Sequence, residues 1–384
     1  MRFLLFHATI PCLNYFTDEL DTQLRECGHQ TVLVDLCGDY QKYVVSQLKC
    51  GIDAVITYDC IGTAFKEIYD ELGILVINIL IDHPMNLAYF LKNPTHQYIQ
   101  FCADEQHVEY SRRFFGISNV YFMPHMASLG TDFNNIPYEK KDIQILFPGT
   151  LRQCNVLYEQ VKEIWRSENS KRIALDVMER LLSYPWETLE DALESVLRES
   201  GMEMDDSSIA AFMAGSKPID VFVRMYWRVN VISQIVKVHI PLTLMGGGGG
   251  YSFLEKGNVT ILPTHSYNET FRFMERAKIT LNVLPWFKAG THERIFNTLM
   301  HYSCPLTDES SWLLEHLKPD EECAYYSLDN LEALPGVIYK LWNHPELQEK
   351  IISRGRDKVA KNYTSKQIVE QILEQLAKCY GESV

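Results

Sequence analysis

Short apolar runs separated by amphipathic stretches repeat along the first 140 residues, and that alternation restricts the chain to a parallel sheet with helices on both faces. Arg2 to His7, Thr31 to Leu36, Asp53 to Tyr58, Leu75 to Ile81, Tyr98 to Ala103 and Asn119 to Met123 read as strands. Tyr15 to Cys27 reads as a helix, because Phe16, Leu20 and Leu24 recur at helical spacing and Gly28 closes it. Ligands of such open sheets lie beyond the carboxyl ends of the strands. That places Asp82, His83, Asp104 and His125 on one rim, with residue types suited to taking a proton near neutral pH.

Thr131 to Lys141 is polar, with a proline and a charge cluster, and reads as a linker. A strand follows at Ile143 to Phe147, ending in Pro148-Gly149-Thr150. From about Asn155 to Val238 the pattern is helical, with no convincing strand. Alternation resumes at Ile240 to Met245, then the five glycines Gly246 to Gly250, then strands at Val259 to Leu262 and Ile279 to Val283. The expected organisation is an N-terminal domain over 1–140 and a second over 141–362, carrying the helical segment 155–238. A final helix over 363–384, with Ile368, Ile372 and Leu376 on one face, either crosses back to the first domain or packs on its own. Two tandem parallel-sheet domains leave a cleft between them where two substrates can meet away from water.

With 384 residues the chain suits two domains, and its 46% hydrophobic content supports full-sized cores. A formal net charge of −14 with no basic stripe argues against nucleic acid as the partner. Any anionic group would be held by a local positive site. The ten cysteines show no CxxC pair or metal-ligand spacing and read as reduced thiols of a cytoplasmic protein, several of them, including Cys37, Cys60 and Cys102, buried at the ends of apolar runs. The N-terminus reads as a strand rather than a signal peptide, and no run approaches a membrane span.

The most chemically informative stretch is Lys278 to Asp308: a buried strand, a loop with Gly290, a helix opening at Thr291, and a short strand. A helix start exposes unpaired N–H groups and partial positive charge, so it seats phosphate. His292 and Arg294 in the first turn make a diphosphate the expected ligand, with Glu293 orienting Arg294 or pairing with it structurally. Thr150, Gly246 and Gly247 follow apolar strands, as phosphate-proximal turns do, although the glycine run matches no established phosphate loop and also suits a flexible loop. Asn282 interrupts an apolar strand, and a buried amide needs partners.

The line AKITLNVLPWFKAGTHERIFNTLMHYSCPLTDESSWLLEHL, with IDHP at Ile81, CADEQHVEY at Cys102, YFMPHM at Tyr121 and VRMYWRVNVI at Val223, resembles glycosyltransferases of the spore-maturation CgeB-like group, which have the GT-B fold. The resemblance implies two Rossmann-like domains, a nucleotide-diphosphate sugar in the second, an acceptor in the first, and no required metal or cofactor. It places Tyr267 at the nucleobase, as a stacking ring or as a helix staple. Asn297 and Ala289 stand where many such enzymes carry a pair of glutamates, which puts ribose recognition and the stereochemical course in question. The expected activity is transfer of a sugar to an acceptor hydroxyl on a protein, glycan or small molecule. A nucleotide-sugar epimerase and a non-catalytic nucleotide-sugar binder stay open beside it.

Overall fold

The computed structural model describes residues 1–128, 134–255 and 257–380. The chain forms two compact units, one holding 1–128 with 361–384 and the other 129–360. This division falls earlier than the expected boundary at 140 and assigns the last helix to the first unit.

The first unit is a six-stranded parallel sheet: β1 (Arg2–His7), β2 (Gln30–Asp35), β3 (Ala54–Tyr58), β4 (Leu75–Leu80), β5 (Tyr98–Cys102) and β6 (Val120–Phe122), in the order β2-β1-β3-β4-β5-β6. Every residue of β3 and β4 is buried, as a strand covered on both faces requires; their sequences AVITY and LVINIL are correspondingly almost free of polar groups. The chain reverses its direction of sheet growth between β1 and β3, which opens a crevice beyond their carboxyl ends. The first helix begins at Pro11, four residues before the hydrophobic spacing places it, because proline is accommodated in a first helical turn.

The second sheet comprises β7 (Ile143–Pro148), β8 (Leu242–Met245), β9 (Val259–Leu262), β10 (Ala277–Leu281), β11 (Cys304–Asp308) and β12 (Ala324–Tyr326). Its order is β12-β11-β10-β7-β8-β9, all parallel, with the reversal between β7 and β10. The helices Cys154–Ile164, Glu168–Ser183, Leu189–Glu199, Asp206–Ala214 and Lys217–Lys237 form the long helical crossover from β7 to β8.

Two expectations change. Residues 129–133 of the linker region lie outside the described residues, but Lys141 at its end is buried rather than solvated, its Nζ donating to the carbonyls of Glu275 (2.5 Å) and Ala277 (3.2 Å). Cys60 and Cys102 are buried as expected, whereas Cys37 is exposed, because β2 ends at Asp35 and the chain turns there. All ten cysteines are free thiols.

The helix Ser365–Tyr380 packs on the first unit. The amide of Ala127 donates to the carbonyl of Tyr363 (2.6 Å), Gln371 Nε2 donates to the carbonyl of Phe122 (2.8 Å), and Ile368, Val369, Ile372 and Leu376 are buried. Truncating fully buried Ile372 to alanine leaves a cavity in this seam. Ile372→Ala should lower stability by about 2–5 kcal/mol in urea unfolding; a loss under ~0.5 kcal/mol would show that the helix is not held by its apolar face.

Candidate functional site

The β7 and β8 turns of the second unit approach each other closely. Gly246 has φ +127°, and a Cβ there would lie 2.9 Å from Thr150 Oγ1, so only glycine lets the two loops meet. The amide of Leu151 donates to the carbonyl of Gly247 at 3.1 Å. The glycine run is thus a fixed turn, followed by a single short 3₁₀ turn at Ser252–Glu255. Thr150 and the backbone of Gly246 and Gly247 line up at the end of β7, beside the reversal.

Arg294 occupies the other side of that reversal, in the first turn of the helix Glu293–Met300. Its Nη1 donates to Asn282 Oδ1 at 2.7 Å. Asn282 follows β10 and is 1% exposed; its Nδ2 donates to Thr307 Oγ1 (2.9 Å), and its carbonyl accepts from the Tyr326 hydroxyl (2.8 Å). The amide that breaks the apolar pattern therefore braces the arginine. The helix starts two residues after Thr291, which is fully buried, and Ser310 Oγ holds the Gly290 carbonyl at 2.6 Å.

His292 is the N-cap residue. Its Nδ1 lies 2.6 Å from Glu293 Oε2 and 3.2 Å from the Arg294 amide. One nitrogen cannot donate to the carboxylate and accept from the amide at once. The shorter, charge-assisted contact competes for that nitrogen, pairing Glu293 with His292 and weakening the cap on the Arg294 amide. Burial pushes the pKa of His292 down, against the pull of Glu293, and keeps the ring neutral.

Arg228 is the residue that the sequence reading missed. It lies on the helix Lys217–Lys237, one turn after Arg224, and its Nη1 reaches the Thr150 carbonyl at 3.4 Å. Arg224 is paired with Asp220 and lies over the Trp286 ring. Arg228 has no carboxylate partner among the described residues, and its buried Nε has no acceptor. Burial, followed by repulsion from Arg294 and Arg224, pushes its pKa down to about 9, so it remains cationic at neutral pH. Burial likewise lowers Arg294. A half-buried cation and a buried unsatisfied N–H both cost free energy, and an anion between Arg228 and Arg294 would relieve both.

Tyr267 and Asn297 meet directly: Asn297 Nδ2 donates to the Tyr267 hydroxyl at 3.0 Å. Tyr267 opens a helix with a Ser266–Glu269 capping box, and its ring packs edge-on against Phe271 at 4.8 Å. Ala289 is buried.

In the first unit, His83, Asp104 and His125 are buried, and Asp82 is exposed. His83 and Asp104 cap helical turns, accepting from the amides of Met85 (3.0 Å) and Gln106 (2.8 Å). His83 packs edge-on against His107 (4.4 Å) and Tyr110 (4.7 Å). Burial first, then the neighbouring His83 and His125, hold His107 at about 3 and therefore neutral. A second missed residue, Asp59, directly follows β3. Its Oδ1 accepts from the amides of Ile81 (3.0 Å) and Asp82 (3.3 Å), and burial, then the charge of Asp82, raise its pKa to about 7.

Two units, each built on a six-stranded parallel sheet with its reversal at the carboxyl edge, define the GT-B fold. Residues 228–374 match a family model described as glycosyl transferase-like, beginning at the arginine just described. Among solved structures, the chain is similar to a sucrose-phosphate synthase from Thermosynechococcus elongatus (10% identity, 99% of this chain and 100% of that one, TM-score 0.55). It is also similar to an alpha-glucosyltransferase in complex with UDP-glucose and DNA containing an abasic site (10%, 98% and 99%, TM-score 0.55). A third likeness is to HepE from Anabaena in complex with UDP and glucose (8%, 98% and 100%, TM-score 0.53). No curated protein matches the chain in sequence at a significant level. Among the described residues, no helix is long and apolar enough to cross a membrane.

Asp308, at the end of β11, carries a pH prediction. Burial raises its pKa from 3.8 to about 7, against the Leu284 amide that donates to its Oδ1 at 2.6 Å. The folded state then holds a proton that the unfolded state has released. Stability should fall as pH rises from about 4 to about 7 and level off above, by at most about 4 kcal/mol from this group. Asp308→Asn keeps the acceptor and should flatten the decline in urea midpoints across that range; an unchanged slope would remove Asp308 as its source.

Proposed function

We propose that this chain is a glycosyltransferase that moves a sugar from a nucleoside-diphosphate sugar to an acceptor hydroxyl, with the diphosphate seated on the second unit. The observation that carries this reading is the pair Arg228 and Arg294, two cations on either side of the sheet reversal with no carboxylate paired to either among the described residues. The solved structures that share the fold with UDP or UDP-glucose bound, and the family match over 228–374, favour a uridine nucleotide as the donor handle. Membership in the CgeB-like group is the finer assignment that we favour.

In this mechanism the acceptor hydroxyl gives its proton to a carboxylate of the first unit while its oxygen bonds to the anomeric carbon. The bond from that carbon to the diphosphate breaks, and the electron pair leaves with the phosphate oxygen. Arg228, Arg294 and the amides at the helix start at Glu293 then meet charge that grows only as the bond breaks, which is where stabilisation accelerates the step. Two guanidiniums supply this charge without a divalent cation. Of the first-unit candidates, Asp82 is exposed, and its amide hydrogen-bonds Asp59, so this carboxylate pair is the preferred proton acceptor. His83, Asp104, His107 and His125 form the buried support behind it. Tyr267, held by Asn297, is the proposed base platform, with the asparagine serving to position the ring rather than to replace a ribose-binding glutamate.

Calorimetric titration tests the reading directly. UDP should bind, and Arg228→Ala and Arg294→Ala should each weaken it by about tenfold or more, as loss of a charge-assisted hydrogen bond does. The weak binding of uridine, which lacks phosphate, should not change. Equal affinity for UDP in the folded variants would take the diphosphate away from these arginines. Turnover of UDP-glucose with an acceptor should continue in excess chelator; loss that Mn²⁺ restores would require a metal.

A further inference from the structure

A cavity of about 740 Å³ opens at the reversal between β1 and β3 in the first unit, far larger than a packing defect. It starts at Ala8–Ile10 beyond β1 and at Asp59 beyond β3, and runs along one face of the sheet over Thr57, Asn78 and Tyr98. These last side chains form a polar rung across three strands. Thr57 pairs in register with Asn78, whose Nδ2 donates to the Tyr98 hydroxyl at 2.8 Å.

The entrance is built at a cost. Asp59 and Cys60 are consecutive non-glycine residues in the left-handed region, at φ 45° and 62°. Strain of about 1–3 kcal/mol at each persists only where the surroundings impose it. Here Asn78 imposes it, its Oδ1 accepting from the Cys60 amide at 3.0 Å. The turn presents Asp59 to the cavity with Oδ1 fixed by two amides, while Oδ2 takes part in none of the described hydrogen bonds. At the mouth, Tyr89 is 88% exposed and stands edge-on to Phe90 at 5.2 Å, an aromatic pair that packing does not require.

We propose that this cavity binds an uncharged alcohol or phenol with a ring body, whose hydroxyl donates to Asp59 Oδ2 and whose ring lies against the aromatic mouth. Charge decides the class. Asp59 in its ionised form repels an anion, while the Lys66 ammonium, which also lines the cavity, opposes a cation, with Asp70 already paired to it at 2.7 Å. Thr57, Thr63 and Tyr98 offer neutral polar groups, and the remaining lining is mainly apolar, which suits a ring better than a free sugar. Naming this ligand as the acceptor rests on the transferase reading; its binding does not.

The test is a titration of the full chain, without donor, using naphthol as the probe. Naphthol should bind saturably, about tenfold or more tightly than methoxynaphthalene, which has no hydroxyl to donate. Asp59→Asn, which keeps the Oδ1 acceptor and tolerates the left-handed backbone, should erase that difference. Ala64→Trp, placed at an exposed lining position, should abolish binding and leave UDP affinity unchanged. No saturable binding of naphthol, equal binding of the two probes by the unmodified chain, or unaltered binding in Ala64→Trp would each overturn the proposal. So would tighter binding of naphthoate, naphthylethylamine or glucose. Naphthol failing while UDP binds removes this inference alone; UDP failing while naphthol binds removes the transferase reading and leaves the cavity assignment supported.

Discussion

The second unit is organised around positive charge that no direct ion pair neutralises among the described residues. Arg228 and Arg294 approach the β7–β10 reversal from different helices, and each is half-buried, with no carboxylate hydrogen-bonded to it among the described residues. The chain is strongly acidic overall, so neutralising carboxylates were available in quantity. One turn before Arg228, Arg224 has one in Asp220. Glu293, adjacent to Arg294 in sequence, instead meets His292. A half-buried guanidinium without a direct ion pair costs the fold stability, a cost that an anion bound beside it would offset.

An asparagine at the edge of an apolar strand does comparable work in both units. Asn282 holds the Arg294 guanidinium and is itself fixed by Thr307 and Tyr326. Asn78 holds the left-handed turn at Asp59 and Cys60 and is tied to Tyr98. A buried amide must satisfy both its donors and its acceptor, which locks its orientation and hence that of its client. Leucine at either position would add apolar burial and release the charged group that the asparagine aims. In each case local stability is traded for the placement of one ionised side chain beside a sheet reversal.

The strands and the helical crossover were legible in the sequence because burial on both faces leaves almost unbroken apolar runs, as in LVINIL, and helical periodicity survives over long segments such as Phe222 to Val236. The helix that opens beside Arg294 was legible too, since a helix start with an arginine has a local signature. Arg228 was not, although its spacing of four from Arg224 on an apolar helix was a usable signal: what singles it out is the absence of a paired carboxylate among the described residues, a property of the folded chain. Asp59 was harder still. Its role depends on strand order, which brings β3 next to both β1 and β4, and on amides more than twenty residues away. The rim histidines are less accessible than their residue type suggests. Both are buried, and a capping bond and ring packing engage His83, which residue type alone does not reveal.

The two ionisable groups outside the sequence reading are displaced in opposite directions by one cause. Burial favours the neutral form of both, raising Asp59 toward neutrality and lowering Arg228 toward it. Each lies where a sheet changes its direction of growth, since there the neighbouring crossover helices diverge and leave backbone ends and side chains uncovered. Filling either place with a matched ion pair would stabilise the unit and close it to ligands. Keeping an acid that can accept a proton on one unit and an arginine that stays charged on the other supplies the two capacities that the proposed sugar transfer would use, at separate sites that the same backbone topology generates twice.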